Sequence, residues 1–210
     1  MPAGLEILAA AALGAPAGGL AWVIVGAYEA DRPRPPRWAM ALLVAAVFAW
    51  ASTVAPMSWI LAASLALGWT LACAAAIDAI AFRLPDRLTL PLVVAGLGVS
   101  FALPAAPIVD HLAGAAAGYG VLAILAWAWR RWRGVDGVGM GDAKLLAAAG
   151  AWLGWRPLPS VVVIACAIAL AWILITSIGG RTPLRGRRVA FGVPLSLAIW
   201  IVWLYGPLID

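Results

Sequence analysis

The sequence predicts an all-α, polytopic membrane helix bundle of about eight transmembrane helices, with both termini outside. Three observations predict it. Of 210 residues, 65% are hydrophobic and 11% charged, where a soluble domain is nearer about half apolar and about a quarter charged. The apolar residues fall in long runs parted by Arg-, Pro- and Gly-rich breaks. The basic residues fall almost wholly in alternate breaks, as the positive-inside bias of membrane proteins requires.

The runs cover 5–28, 38–55, 58–80, 88–103, 111–129, 143–156, 159–179 and 190–206. The sixth is short for a span of about 20 residues, and runs of about 10–14 are often re-entrant. Loop charge decides between the two. With eight spans and the N-terminus outside, Arg32, Arg34, Arg37, Arg83, Arg87, Arg130, Arg131, Arg133, Lys144, Arg181, Arg185, Arg187 and Arg188 lie inside and only Arg156 outside. That is thirteen of the 14 basic residues. A re-entrant sixth run would leave ten against four, so eight spans are expected.

Composition also excludes. A net charge of +5 could suggest nucleic acid, but the basic residues sit in short clusters between apolar runs, so lipid is the expected partner and nucleic acid is not. Cys73 and Cys166 are far apart, with no CxxC and no Cys/His cluster. No metal, disulfide or cofactor is expected. The start, Met1-Pro2-Ala3-Gly4-Leu5-Glu6, lacks the basic n-region of a cleaved signal peptide. Trp22, Trp38, Trp127, Trp129, Trp132, Trp152 and Trp155, near the ends of runs, are expected to anchor the helices at the membrane interface. No break is long enough to fold as a soluble domain, and no internal repeat is visible.

The nine acids are Glu6, Glu29, Asp31, Asp78, Asp86, Asp110, Asp136, Asp142 and Asp210. Most fall at helix ends or in loops, where a solvated surface role suffices; Asp86 and Asp136 are expected in wet loops. Two stand apart. Asp78 lies in Ala74-Ala75-Ala76-Ile77-Asp78-Ala79-Ile80-Ala81-Phe82, where a carboxylate is costly unless it faces the protein interior or water. Pairing with Arg83 as a topology device is the alternative. Asp142 closes Gly134-Val135-Asp136-Gly137-Val138-Gly139-Met140-Gly141-Asp142, whose glycines permit positive φ and close backbone approach. The alternative is a helix N-cap for the sixth run. The expected topology puts both aspartates at the same cytoplasmic depth. Two carboxylates held close share a proton, and such a pair hydrolyses a peptide bond without metal or covalent nucleophile. Lys144 could tune that pair or act only as an inner-side charge. His111, beside Asp110 at the other side, is expected as a surface or interface residue and not as a catalyst.

At these residues the chain resembles the type IV prepilin peptidases, bacterial members of the GxGD aspartyl membrane proteases. Ala76-Ile77-Asp78 leading to Leu84-Pro85-Asp86-Arg87-Leu88-Thr89-Leu90-Pro91-Leu92 is similar to the family's first aspartate motif. Gly137-Val138-Gly139-Met140-Gly141-Asp142-Ala143-Lys144-Leu145-Leu146-Ala147-Ala148-Ala149-Gly150-Ala151-Trp152-Leu153-Gly154-Trp155 resembles the second. Phe191-Gly192-Val193-Pro194 resembles the late Phe-Gly segment. The resemblance runs from about residue 72 to the end.

It implies an endopeptidase that removes a short basic leader from prepilin or pseudopilin precursors at the cytoplasmic face of the inner membrane, with Asp78 and Asp142 as the catalytic pair. It leaves Gly139, Gly141, Lys144 and Pro194 as motif or substrate-binding positions, with backbone opening at Gly139, Gly141 and Pro194 giving an extended substrate room. It divides the chain into N-terminal helices, 1–71, and a peptidase core, 72–210. Many members also N-methylate the new terminus and carry a cysteine-rich, zinc-binding loop after the first helix. Here that stretch, Glu29 to Arg37, has no cysteine, so neither zinc nor methyl transfer is expected. A proton-coupled transporter and a non-catalytic pilus-assembly subunit are the alternatives; the transporter would not need the GxGD stretch.

Overall fold

The computed structural model describes residues 3–28, 34–55, 58–102, 107–134, 139–178 and 189–208. Residues 29–33, Asp136 and the arginines of 181–188 lie outside them. Among the described residues the fold is all-α, with eight helices: α1 (Ala3–Tyr28), α2 (Arg37–Val54), α3 (Trp59–Ala81), α4 (Asp86–Ser100), α5 (Ile108–Arg133), α6 (Met140–Leu153), α7 (Leu158–Ile178) and α8 (Gly192–Tyr205). Five of them, α1, α2, α3, α5 and α7, are long and apolar enough to cross a membrane. The chain is a multi-pass membrane protein.

The helices fall in two compact units, Met1–Ala81 and Phe82–Asp210. In the first, α1 and α2 meet through small residues. A Cβ on Gly14 would run into the backbone of Ala45, and one on Gly18 into that of Ala41, so glycine lets the two backbones touch. The link between them closes on Trp22. Its indole N–H donates to the Pro35 carbonyl at 2.8 Å, and the Arg34 and Arg37 guanidinium carbons stand 5.6 and 5.1 Å from its ring centroid. Trp69 of α3 donates to the Ala17 carbonyl of α1 at 2.9 Å.

The second unit is built around α6. This helix is buried from Leu145 through Trp152 without a break, which is why its sequence is apolar all round. It packs most extensively against α5 and α4, and also meets α7 and α8. Backbone contact with α5 again depends on glycine. A Cβ on Gly118 would strike the Leu146 carbonyl, and one on Gly150 would strike the backbone of Gly114.

Three expectations change here. Trp152 is no interfacial anchor: it is 2% exposed. It fills the space left by Gly96, where a Cβ would meet its ring. Its indole N–H donates to the Leu92 carbonyl at 2.9 Å, and Trp203 meets it edge-on with centroids 5.3 Å apart. His111 is not on the surface. It is 2% exposed and its Nδ1 donates to the Ala151 carbonyl at 3.1 Å, between α5 and α6. Finally, α5 extends through Arg133 and α6 begins at Met140. Basic residues suit the last turn of a helix and can reach water from it, so Arg130, Arg131 and Arg133 extend α5.

Candidate active site

Asp78 belongs to the first unit. It lies in the last turn of α3, 4% exposed, with Cys73, Ala74 and Ile77 wholly buried on the same helix. A carboxylate so placed is expensive unless compensated, and Asp78 does have an interaction partner. Beyond Ala81 the chain leaves the helix through Phe82, whose φ is 55°. A left-handed residue at this position commonly ends a helix, but glycine usually occupies it, and a bulky side chain there is an outlier. Helical periodicity in the sequence carries no sign of this conformation.

Asp142 belongs to the second unit. The N-cap of α6 is Gly139, with φ −71° and ψ 128°, so Asp142 is not the cap. It is the third residue of the helix, and its backbone N–H donates to the Gly139 carbonyl at 3.1 Å. An acid in a first turn faces unpaired N–H groups and the positive end of the helix dipole.

The two glycines of the motif therefore have reasons other than positive φ, which neither adopts. At Gly139 a Cβ would stand 3.2 Å from Oδ2 of Asp142. Its absence leaves the carboxylate room to lie back over the start of the helix. At Gly141 a Cβ would stand 2.9 Å from Leu84 Cβ and 3.3 Å from Leu84 N. Close approach, the other reason for glycine, is the one that operates here.

Lys144 does not point into solvent alone. Its Nζ donates to Oδ1 of Asp86 at 2.5 Å, with the side chains 25% and 56% exposed. Asp86 is thus no free loop acid; it is the first residue of α4. Sequence alone does not find this partner, because 58 residues separate the two and only the packing of α4 on α6 brings them together. Pro194 lies in the first turn of α8. A missing N–H costs no helical bond at that position, and the helix is unbroken there: Leu195 N donates to the Phe191 carbonyl at 3.1 Å. No three His, Cys, Asp or Glu residues form a metal-binding group among the described residues.

Both aspartates fall inside one stretch of recognisable ancestry. Residues 65–174, just over half the chain, match the type IV leader peptidase family. The chain belongs to that family. Among its relatives is a protein of Aeromonas hydrophila named "Prepilin leader peptidase/N-methyltransferase", 42% identical over 166 residues, which are 79% of this chain and 56% of the relative. Proteins of the same name from Burkholderia pseudomallei and Neisseria gonorrhoeae are 47% and 36% identical. The matches cover 50% and 70% of this chain, and 34% and 49% of those proteins. The chain spans about half the length of the curated relatives it matches. No solved structure matches it.

Proposed function

We propose that this leader peptidase family member is an aspartic endopeptidase. It removes the short basic leader of prepilin or pseudopilin precursors at the cytoplasmic face of the inner membrane. Asp78 and Asp142 are its catalytic pair and activate the attacking water. The observation that carries the reading is Asp78, a carboxylate 4% exposed in an apolar helix, within the same family-matched residues that contain Asp142.

The helix ends suggest how the work divides. Asp142, among the N–H groups that start α6, is the charged member. Asp78, buried in the last turn of α3 where carbonyls accumulate, holds the shared proton. Asp142 takes a proton from water as the oxygen attacks the scissile carbonyl, and Asp78 donates to the carbonyl oxygen. Collapse of the gem-diol intermediate returns one hydroxyl proton to Asp78 and breaks the C–N bond, and the proton now on Asp142 leaves with the amine.

Charge asymmetry supports eight spans with both termini outside and the pair facing the cytoplasm. Reporter fusions in 83–87 and 130–142 should then report cytoplasm, and fusions in 104–110 the opposite side. The relatives' name also includes N-methyltransferase. We carry over only the peptidase half, since 29–37 holds no cysteine. Metal analysis should find no tightly bound zinc, and the mass of the processed terminus should lack an added methyl group.

The deciding experiment presents membranes containing the chain with a prepilin-like precursor and measures the mass of the new N-terminus. Cleavage should be lost in Asp78→Asn and in Asp142→Asn while both proteins still accumulate. Near-parental cleavage by either one would make transport or pilus assembly the better account.

A further inference from the structure

Residues 141 and 144 are three apart on α6, so they share one face. That face meets the chain at 84–86 twice: Gly141 seats Leu84, and Lys144 binds Asp86. Asp142 and Lys144 are two apart, which turns their side chains about 200° from each other. Lys144 therefore projects nearly opposite Asp142, and Gly141 lies about 100° from it.

We propose that Asp86 and Lys144 are positioning residues for the reaction. Their ion pair, with Leu84 seated on Gly141, fixes the rotation of the first turn of α6 and so the direction in which Asp142 projects. The inference rests on the reading of Asp142 as a catalytic carboxylate. The first turn needs such a clamp because its leading N–H groups have no partners within the helix, and the N-cap Gly139 has no side chain to supply one. Glycine at both 139 and 141 loosens this end further.

The pair also balances charge. Of the helices packed on α6, α7 and α8 carry no charged residue. On α4 the charges are Asp86 and Arg87. On α5 they are Asp110, beside His111 at one end, and Arg130, Arg131 and Arg133 at the other. Lys144 is the one charge besides Asp142 on α6 itself, and Asp86 neutralises it.

Removing either partner therefore has two consequences. The first turn loses its grip in both cases, so kcat should fall about tenfold with KM little changed. The charge consequence differs in sign. In Asp86→Asn the ammonium of Lys144 is left uncompensated near Asp142, which favours the ionised aspartate pair and moves the acid limb of the pH–rate profile down. In Lys144→Met the carboxylate of Asp86 is left instead, and the limb moves up. Each displacement should be about half a pH unit, since Asp86 is half exposed and screened. An exposed ion pair adds little to stability, so both proteins should fold.

The experiment measures leader cleavage against pH in membranes containing the intact chain, Asp86→Asn, Lys144→Met, the double variant and Lys144→Arg, with Asp142→Asn alongside. Expected are opposite displacements in the two single variants, a return to the parental position in the double variant with kcat still low, and near-parental behaviour in Lys144→Arg. Parental rates and profiles in both single variants, with Asp142→Asn inactive, would overturn the positioning role and leave the peptidase standing. Displacements in the same direction would overturn it too. An active Asp142→Asn would remove the peptidase reading on which it rests.

Discussion

The two units hold their aspartates in opposite ways. In the first, glycine-mediated contact joins α1 to α2, while Asp78 rides on the third helix and is hidden by burial. In the second, the glycine contacts converge on α6, the helix that carries Asp142, and Asp142 itself stays half-open at its first turn. One unit conceals its carboxylate; the other aims it. On the proposed mechanism, close backbone packing supports the carboxylate whose direction matters, and apolar burial the one that keeps the proton.

The strongest test of that contrast removes the carboxylates. Asp78→Asn and Asp142→Asn should each lower cleavage roughly a thousandfold or more, and the double variant should be little worse than either, as for groups that act as a unit. Additive losses would mean that the two act separately. Next come the glycines of the two units. Gly150→Ala drives a Cβ into the Gly114 backbone, and Gly14→Ala drives one into Ala45. Each should cost about 2–3 kcal/mol, read by thermal unfolding in detergent. Only Gly150→Ala should also lower kcat per folded molecule, because α6 carries Asp142 whereas α1 and α2 carry no aspartate. Equal kcat losses would erase the distinction between the units.

Gly139→Ala sharpens it further. Its Cβ would crowd Oδ2 of Asp142 at 3.2 Å without touching the core. Cleavage should fall about tenfold, while stability changes by less than about 1 kcal/mol. The smallest effect is expected at Gly120, in α5, where an added Cβ meets nothing within 4 Å. Gly120→Ala should raise stability by about 0.5–1 kcal/mol, as a helix-interior glycine replaced, and leave cleavage unchanged.

Much of this was legible in the sequence. All eight helices stand where apolar runs predict them, and Asp78 and Asp142 stand out because a carboxylate next to an apolar run or a glycine string needs a reason. What was not legible has a common physical cause. In a membrane protein both lipid and protein interior select apolar residues, so hydropathy cannot tell Trp152, packed in the core, from Trp132, 75% exposed. His111 differs for another reason: a polar residue at the start of an apolar run reads as surface, but the Ala151 carbonyl accepts its hydrogen bond inside the fold. The Lys144–Asp86 pair joins residues far apart in sequence, and no local pattern announces it. The apolar run places the start of α6 three residues late because glycines read as loop, although Gly141 is helical and is glycine for lack of space.

The length of α6 has a consequence for water. Fourteen residues rise about 21 Å, against about 30 Å of hydrocarbon. Its neighbours α5 and α7, at 26 and 21 residues, rise about 39 and about 32 Å and have no such shortfall. In the proposed eight-span topology, the missing length of about 9 Å would be met by local thinning of the bilayer or by a recess open to the aqueous phase, because unpaired backbone groups cannot end in lipid. Asp142 stands at one end of this short helix. A hydrolase working at a membrane must bring its second substrate, water, to a carbonyl that lipid would keep dry. On the proposed reading, a helix too short for the bilayer would provide that supply as a matter of length.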